Sequence, residues 1–167
     1  EKLYEHAGDL ILDGITAQSL QSSTDLWKLR EAIPLANKKI GAICSLDISL
    51  PLSEIDGFIV TMTSETQALG PFRVNCFGHL GDGNLHFNIF PPTGELAQNY
   101  EHVRAKLYRR FYQRVHSFGG SISAEHGIGR LKIEELEEFG DPTKLNIMRA
   151  LKQTLDPNGI LNPGAVI

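Results

Sequence analysis

The residues best equipped for chemistry lie between Cys76 and Pro92, in the run Cys-Phe-Gly-His-Leu-Gly-Asp-Gly-Asn-Leu-His-Phe-Asn-Ile-Phe-Pro-Pro. Residues 72–77 and 85–90 are apolar and β-prone, and they flank a glycine-dense turn. That is the pattern of a β-hairpin whose loop exceeds two residues. His79 and His86 stand at the two ends of the loop, so closing the hairpin brings two imidazoles together although six residues intervene. Asn88 follows His86 by two positions on a strand and shares its face. A second glycine-rich turn, Glu125-His126-Gly127-Ile128-Gly129, offers a carboxylate and a third imidazole.

Two neutral imidazoles and one carboxylate, His79, His86 and Glu125, form a ligand set for zinc that leaves a coordination position open, as catalytic zinc sites do. Iron or manganese would be held by the same set. The plainer alternative, in which each histidine is a hydrogen-bonded turn residue, stays open on spacing alone. His126 beside such a metal suits a general base. Neighbours on a regular strand point to opposite faces, so Glu125 and His126 reach one site only where the chain leaves strand geometry. Gly127 and Gly129 allow that. Gly127-Ile128-Gly129 lacks the rest of a dinucleotide-binding fingerprint.

The elements that must carry these residues alternate. Residues 2–7 read as the end of a helix and 10–18 as a short strand. Ser22, Ser23 and Thr24 offer N-cap oxygens to a helix carrying Leu26, Leu29, Arg30 and Ile33, which Pro34 is expected to kink or end. A strand over 43–50 leads to a helix with Ile55, Phe58, Ile59, Met62 and Leu69 buried. After the hairpin, residues 96–118 form the longest expected helix, ended by Gly119-Gly120. Its Lys and Arg residues read as a solvated flank. A strand over 121–124 precedes a charged helix over 131–139. Asp141-Pro142 caps a last helix with Leu145, Met148, Leu151 and Leu155 inward. This alternation predicts an α+β fold, an antiparallel sheet with helices packed on one face, of ferredoxin-like type.

Composition narrows the function class. The 167 residues suffice for one domain with a hydrophobic core. A net charge of -4 argues against nucleic acid as a partner, and no apolar run is long enough to span a bilayer. Cys44 and Cys76 have no paired spacing and are expected as buried free thiols in a reducing cytosol. The chain starts without Met on a helical segment, and we expect it to be part of a longer protein.

Residues 78–86 (Gly-His-Leu-Gly-Asp-Gly-Asn-Leu-His), Glu125-His126-Gly127-Ile128-Gly129 and Asn162-Pro163-Gly164 together resemble the motifs of the FAD-linked oxidase C-terminal domain. This is the substrate, or cap, domain of the D-lactate, glycolate and D-2-hydroxyglutarate dehydrogenases. Trp27-Lys28-Leu29-Arg30-Glu31 and Asp47-Ile48-Ser49-Leu50-Pro51 fit as well, so the likeness runs over nearly the whole chain. It implies an FAD-binding domain elsewhere in the protein, and a first part of the cap outside these residues. It implies that His79, His86 and Glu125 ligate a divalent metal that grips a small 2-hydroxy acid. His126 would take the hydroxyl proton while hydride leaves for FAD, with Arg30, Asn88 and His126 contacting substrate and Asn162 the cofactor. The implied electron acceptor is an electron-transfer flavoprotein, quinone or cytochrome. The implied location is cytoplasmic, with peripheral membrane attachment and homodimerisation left open.

The sequence departs from the 2-hydroxyglutarate type at two places. That type carries a lysine where Ser45 stands and a threonine where Pro34 stands, so two polar partners of a distal carboxylate are absent. Two rival readings accompany the leading one. One is a non-catalytic metal-binding or interaction module. The other is a non-haem iron oxygenase, which predicts a double-stranded β-barrel.

Overall fold

A computed structural model describes residues 2–167 of the chain. They form two compact units, the first ending at Lys39 and the second running from Ile40 to Ile167. The first contains α1 (Lys2–Ala7), a 3-10 turn at Gly8–Leu10 and most of α2 (Leu20–Ile40). Residues 11–18, expected within a strand, take no regular form, and Leu12 is fully exposed. A strand needs a ladder partner to satisfy its backbone. Helix α2 starts earlier than expected, because Ser19 and Ser22 cap each other reciprocally. The Ser22 N–H donates to Ser19 Oγ at 3.1 Å and the Ser19 N–H to Ser22 Oγ at 3.0 Å. It also continues through Pro34 rather than ending there. The turns on both sides are rich in Leu, Lys, Glu and Ala, good helix formers that absorb the loss of one backbone bond.

The second unit is built on a three-stranded antiparallel sheet, β1 (Cys44–Ser49), β2 (Arg73–His79) and β3 (Asn84–Phe90), in the order β1-β3-β2. Helix α3 (Ile55–Ala68) links β1 to β2, and α4 (Glu101–Ser117) follows β3. The fold is α+β, as expected. In a ferredoxin-like arrangement a fourth strand would lie antiparallel on the free edge of β1. Here that position shrinks to one bridge, Ser49 with Ser121, so the strand expected over 121–124 does not form.

Strand periodicity gives the sheet two chemically distinct faces. One carries Leu46 and Ile48 of β1, Phe87 and Ile89 of β3, and Val74 and Cys76 of β2. Helices α3 and α4 cover this face with Phe58, Met62, Leu107, Phe111 and Val115. Phe87 meets Phe111 at 4.8 Å between ring centroids. The other face carries Ser45, Asp47 and Ser49, then Asn84, His86 and Asn88, then Asn75, Phe77 and His79. The site residues of the hairpin are therefore on the side away from α3 and α4.

Other boundaries differ modestly. Residues 97–100 form a 3-10 turn before α4, and Leu96 is exposed. Helix α4 ends in a Schellman motif, with Gly120 N–H donating to Val115 O and Gly119 N–H to His116 O. Four of its arginines are paired rather than merely solvated: Arg104 with Glu101, Arg109 with Glu138, and Arg110 and Arg114 both with Glu65 of α3. Helix α5 (Ile133–Phe139) starts two residues late. In α6 (Pro142–Leu155) the Asp141 cap forms and Leu145 is buried, but Leu151 and Leu155 are exposed. Both cysteines are free, and burial pushes the Cys44 thiol up to about 12 and the Cys76 thiol to about 11, so neither is a nucleophile. Among the described residues no helix is long and apolar enough to cross a membrane.

The hairpin loop is docked on the end of β1. Leu50 N–H donates to Gly83 O at 3.0 Å, and Gly83 has a φ of 75°. A Cβ at Gly83 would lie 2.0 Å from the Leu50 carbonyl oxygen. Gly83→Ala is therefore expected to destabilise the protein by on the order of 2 kcal/mol or more, read as a lowered unfolding midpoint. An unchanged midpoint would mean that the loop is not held against β1.

Candidate functional site

The site is assembled from the open face of the sheet and one covering loop. His86 lies on the central strand opposite Phe77, and its ring lies 5.0 Å from that of Phe77. His79 pairs with Asn84 one step nearer the loop on the same face. Hairpin closure thus sets the two imidazoles diagonally across neighbouring strands. The loop over residues 120–132 descends on them from the end of α4.

That loop explains how Glu125 and His126 reach one place. It is not a strand. The backbone N–H groups of Glu125 and His126 both donate to Asp47 Oδ2 at 2.8 Å. Consecutive amides converging on one oxygen form a nest, which an extended chain cannot make. The chain turns away afterwards at Gly127 and Gly129, with φ of 71° and 56°. Ser123 Oγ donates to Gly127 O at 2.7 Å, and Lys132 Nζ donates to Ile122 O at 2.9 Å, closing the loop on itself. Burial lowers the Lys132 pKa.

The resulting distances define a cluster. Glu125 Oε2 lies 3.5 Å from His86 Nε2, and Glu125 Oε1 lies 3.9 Å from His79 Nε2. Two ligands bound tetrahedrally at ~2.1 Å from zinc sit about 3.4 Å apart, so this spacing suits a shared metal. Both imidazoles present a ring nitrogen to the same carboxylate. His86 and Glu125 are spaced to share a divalent ion, and His79 faces the other oxygen of the same carboxylate at the longer distance, outside the compact group of ligand atoms that Asp47, His86 and Glu125 form. His126 stands beside it, its ring 6.0 Å from that of His86 and its Nδ1 3.6 Å from Asp47 Oδ2.

Asp47 is the residue that spacing did not single out for the cluster. It is 3% exposed and accepts a third hydrogen bond from Asn84 Nδ2 at 3.0 Å. Burial opposes its ionisation. The N–H groups of His126 and Glu125, the Asn84 amide and the His126 imidazole outweigh burial and hold the carboxyl below its usual range. With His86 and Glu125 it forms a group of potential ligand atoms within 4.8 Å of one another. An acid between Leu46 and Ile48 in a strand reads from sequence as ordinary alternation. Only the register, which pairs Asp47 with His86, reveals it.

The other candidates lie on the cluster's central strand, on α2 and in the C-terminal tail. Asn88 shares the cluster's face but is buried, accepting from Ser45 Oγ at 2.7 Å and donating to the carbonyls of His86 and Asn75 at 3.4 and 3.5 Å. Arg30 is half-buried on α2 in the first unit, whereas the cluster belongs wholly to the second. Asn162 is exposed, at φ 45°, in a tail that returns to the covering loop through Val166 N–H donating to Gly129 O at 2.8 Å.

The cluster is open to solvent. The side chains of His79, Glu125 and His126 are 55%, 47% and 68% exposed, whereas that of His86 is 16% exposed. Beside His126 a groove of about 840 Å³ is lined by α4, the covering loop and α5 together with Ser45 of β1, among them Arg104, Tyr108, Gly129 and Lys132.

Comparison with known proteins gives a consistent picture. Residues 3–166 match the family described as "FAD linked oxidases, C-terminal domain". The chain is 36% identical to "Probable D-2-hydroxyglutarate dehydrogenase, mitochondrial" of Oryza sativa subsp. japonica, over 95% of this chain and 27% of that protein. It is 36% identical to "D-2-hydroxyglutarate dehydrogenase" of Stutzerimonas stutzeri (strain A1501), over 93% and 34%. It is 34% identical to "D-lactate dehydrogenase" of Anaerostipes hadrus, over 99% and 36%. The chain thus spans about a third of the length of these relatives.

Proposed function

The chain belongs to the family of C-terminal domains of FAD linked oxidases, and from that premise we propose that it is the substrate-binding part of a flavin- and metal-dependent dehydrogenase oxidising a D-2-hydroxy acid to the 2-oxo acid. The observation that carries this reading is the position of Glu125, within 3.5 and 3.9 Å of the two hairpin imidazoles.

His79, His86 and Glu125 would hold the metal, for which zinc suits the donors best, with manganese or iron as the next candidates. A bound divalent ion supplies Lewis-acid polarisation of the substrate hydroxyl, and FAD supplies the oxidant. His126 takes the hydroxyl proton as the C2–H bond gives up its hydride. The balance would be a 2-oxo acid, one proton on the imidazole, and one hydride, a proton with two electrons, accepted by the flavin. The exposure of the His126 side chain suits contact with a substrate arriving from outside this unit. Arg30 pairs with the substrate carboxylate in this reading, and Asn162 lies against the cofactor. Asn88 lines the same face, its amide held by its neighbours until substrate binds.

The rest of the substrate extends into the groove beside His126. Ser45 lines that groove with a short hydroxyl already donated to Asn88, where the 2-hydroxyglutarate type has a lysine. This favours a 2-hydroxy acid without a second carboxylate at that position. The iron-oxygenase reading is not supported, since a three-stranded sheet backed by helices is not a barrel.

The test uses the full-length protein under anaerobic conditions. D-2-hydroxy acids are expected to bleach the flavin absorbance and their L enantiomers to leave it unchanged, in protein carrying about one divalent ion per chain. Failure of the D series to bleach metal-loaded protein would overturn the proposal.

A further inference from the structure

We propose that Asp47 is a positioning residue that sets both His86 and His126 with Nε2 outward, the first towards the metal and the second towards the substrate hydroxyl. This rests on the function just proposed. The two oxygens of Asp47 are divided between the two rings, with Oδ1 3.7 Å from His86 Nδ1 and Oδ2 3.6 Å from His126 Nδ1.

A neutral imidazole carries one N–H and one lone pair, and which nitrogen holds the proton is decided by what faces each edge. A carboxylate facing Nδ1 attracts an N–H there and repels a lone pair. Both distances lie just outside hydrogen-bond length, so the preference is electrostatic. It acts at a side chain only 2% exposed, where water screens little. Both rings then carry the proton on Nδ1, and both lone pairs sit on Nε2. For His86 that is the nitrogen 3.5 Å from Glu125 Oε2. For His126 it is a nitrogen free to accept a proton.

The same geometry argues against Asp47 as a ligand, although it falls in one group with His86 and Glu125. Asp47 faces the Nδ1 edge of the His86 ring and Glu125 faces the Nε2 edge. A metal on Nε2 shared with Glu125 is turned away from Asp47. Asp47 also already accepts three N–H donors, from Glu125, His126 and Asn84.

The test compares Asp47→Asn with Asn84→Ala in the full-length protein. Asparagine keeps an oxygen for the nest but puts an uncharged amide against the rings. Zinc affinity, measured by chelator competition, is expected to fall about 10–100-fold in Asp47→Asn, the usual effect of losing a partner behind a metal-bound histidine. The d–d bands of the cobalt-substituted protein are expected to keep their positions, because the ligands are unchanged. Asn84→Ala removes one bond to the same carboxylate and is expected to lower the unfolding temperature while leaving zinc affinity within about twofold. Unchanged affinity in Asp47→Asn, equal loss in both variants, or shifted cobalt bands would each overturn the proposal. Should Asp47→Asn not fold, joint neutron and X-ray diffraction of the wild type decides it. Deuterium on Nδ1 of both rings supports the assignment, and deuterium on Nε2 alone of either ring overturns it. Wild-type protein that binds no metal would instead bring down the proposed function on which this assignment rests.

Discussion

Replacing His126 by alanine is expected to lower kcat/KM for the D-2-hydroxy acid by about 10²–10⁴-fold, the range general acid–base groups contribute, with flavin and metal contents unchanged. The substitution is a clean one on structural grounds. The His126 side chain is 68% exposed, so its removal opens no cavity. Its backbone N–H, which donates to Asp47, is retained by alanine. Rapid-mixing measurement of anaerobic flavin reduction reads the step directly. Reduction at the wild-type rate in His126→Ala would show that the proton leaves by another route.

Loss of the metal is the second large effect. Glu125→Gln keeps the backbone N–H to Asp47 and the size of the side chain, yet removes the charge between the two imidazoles. His86→Ala removes the least exposed ligand of the three. Each is expected to weaken metal binding by more than the ~100-fold that outer partners account for, leaving the purified protein essentially metal-free. Elemental analysis checks this, and turnover should fall in step with occupancy. Stoichiometric metal in both variants would remove His79, His86 and Glu125 as the ligand set.

Much of this arrangement is legible in the sequence because strand periodicity is strict. Once residues 72–77 and 85–90 are read as a hairpin, His86 and Asn88 share a face and closure of the loop brings His79 near them. The apolar residues between them must face the helices, and Phe87 and Ile89 do. Glu125 and His126 were harder. The alternation rule separates neighbours, and nothing in the residues 121–124 announces that the fourth strand stops at Ser121. Asp47 could not be seen because its significance lies in strand pairing, which sets it against His86 across a gap of 39 positions. The misreadings in the first unit share a different cause. Residues 10–18 read locally as a short strand, but a local reading does not supply the partner whose backbone a strand needs. Pro34 shows local propensity overridden by the turns around it.

Strand β3 writes two interleaved texts in one line, the odd positions 85, 87 and 89 addressed to the fold and the even positions 84, 86 and 88 to the chemistry. Point substitutions can edit one text without touching the other, so this surface can drift towards new substrates under an unaltered interior. An insertion or deletion of a single residue garbles both at once, turning His86 into the hydrophobic layer and Phe87 out to solvent. Change in substrate preference among such chains is therefore expected to proceed by replacement within the strand, and by length variation only in the loops.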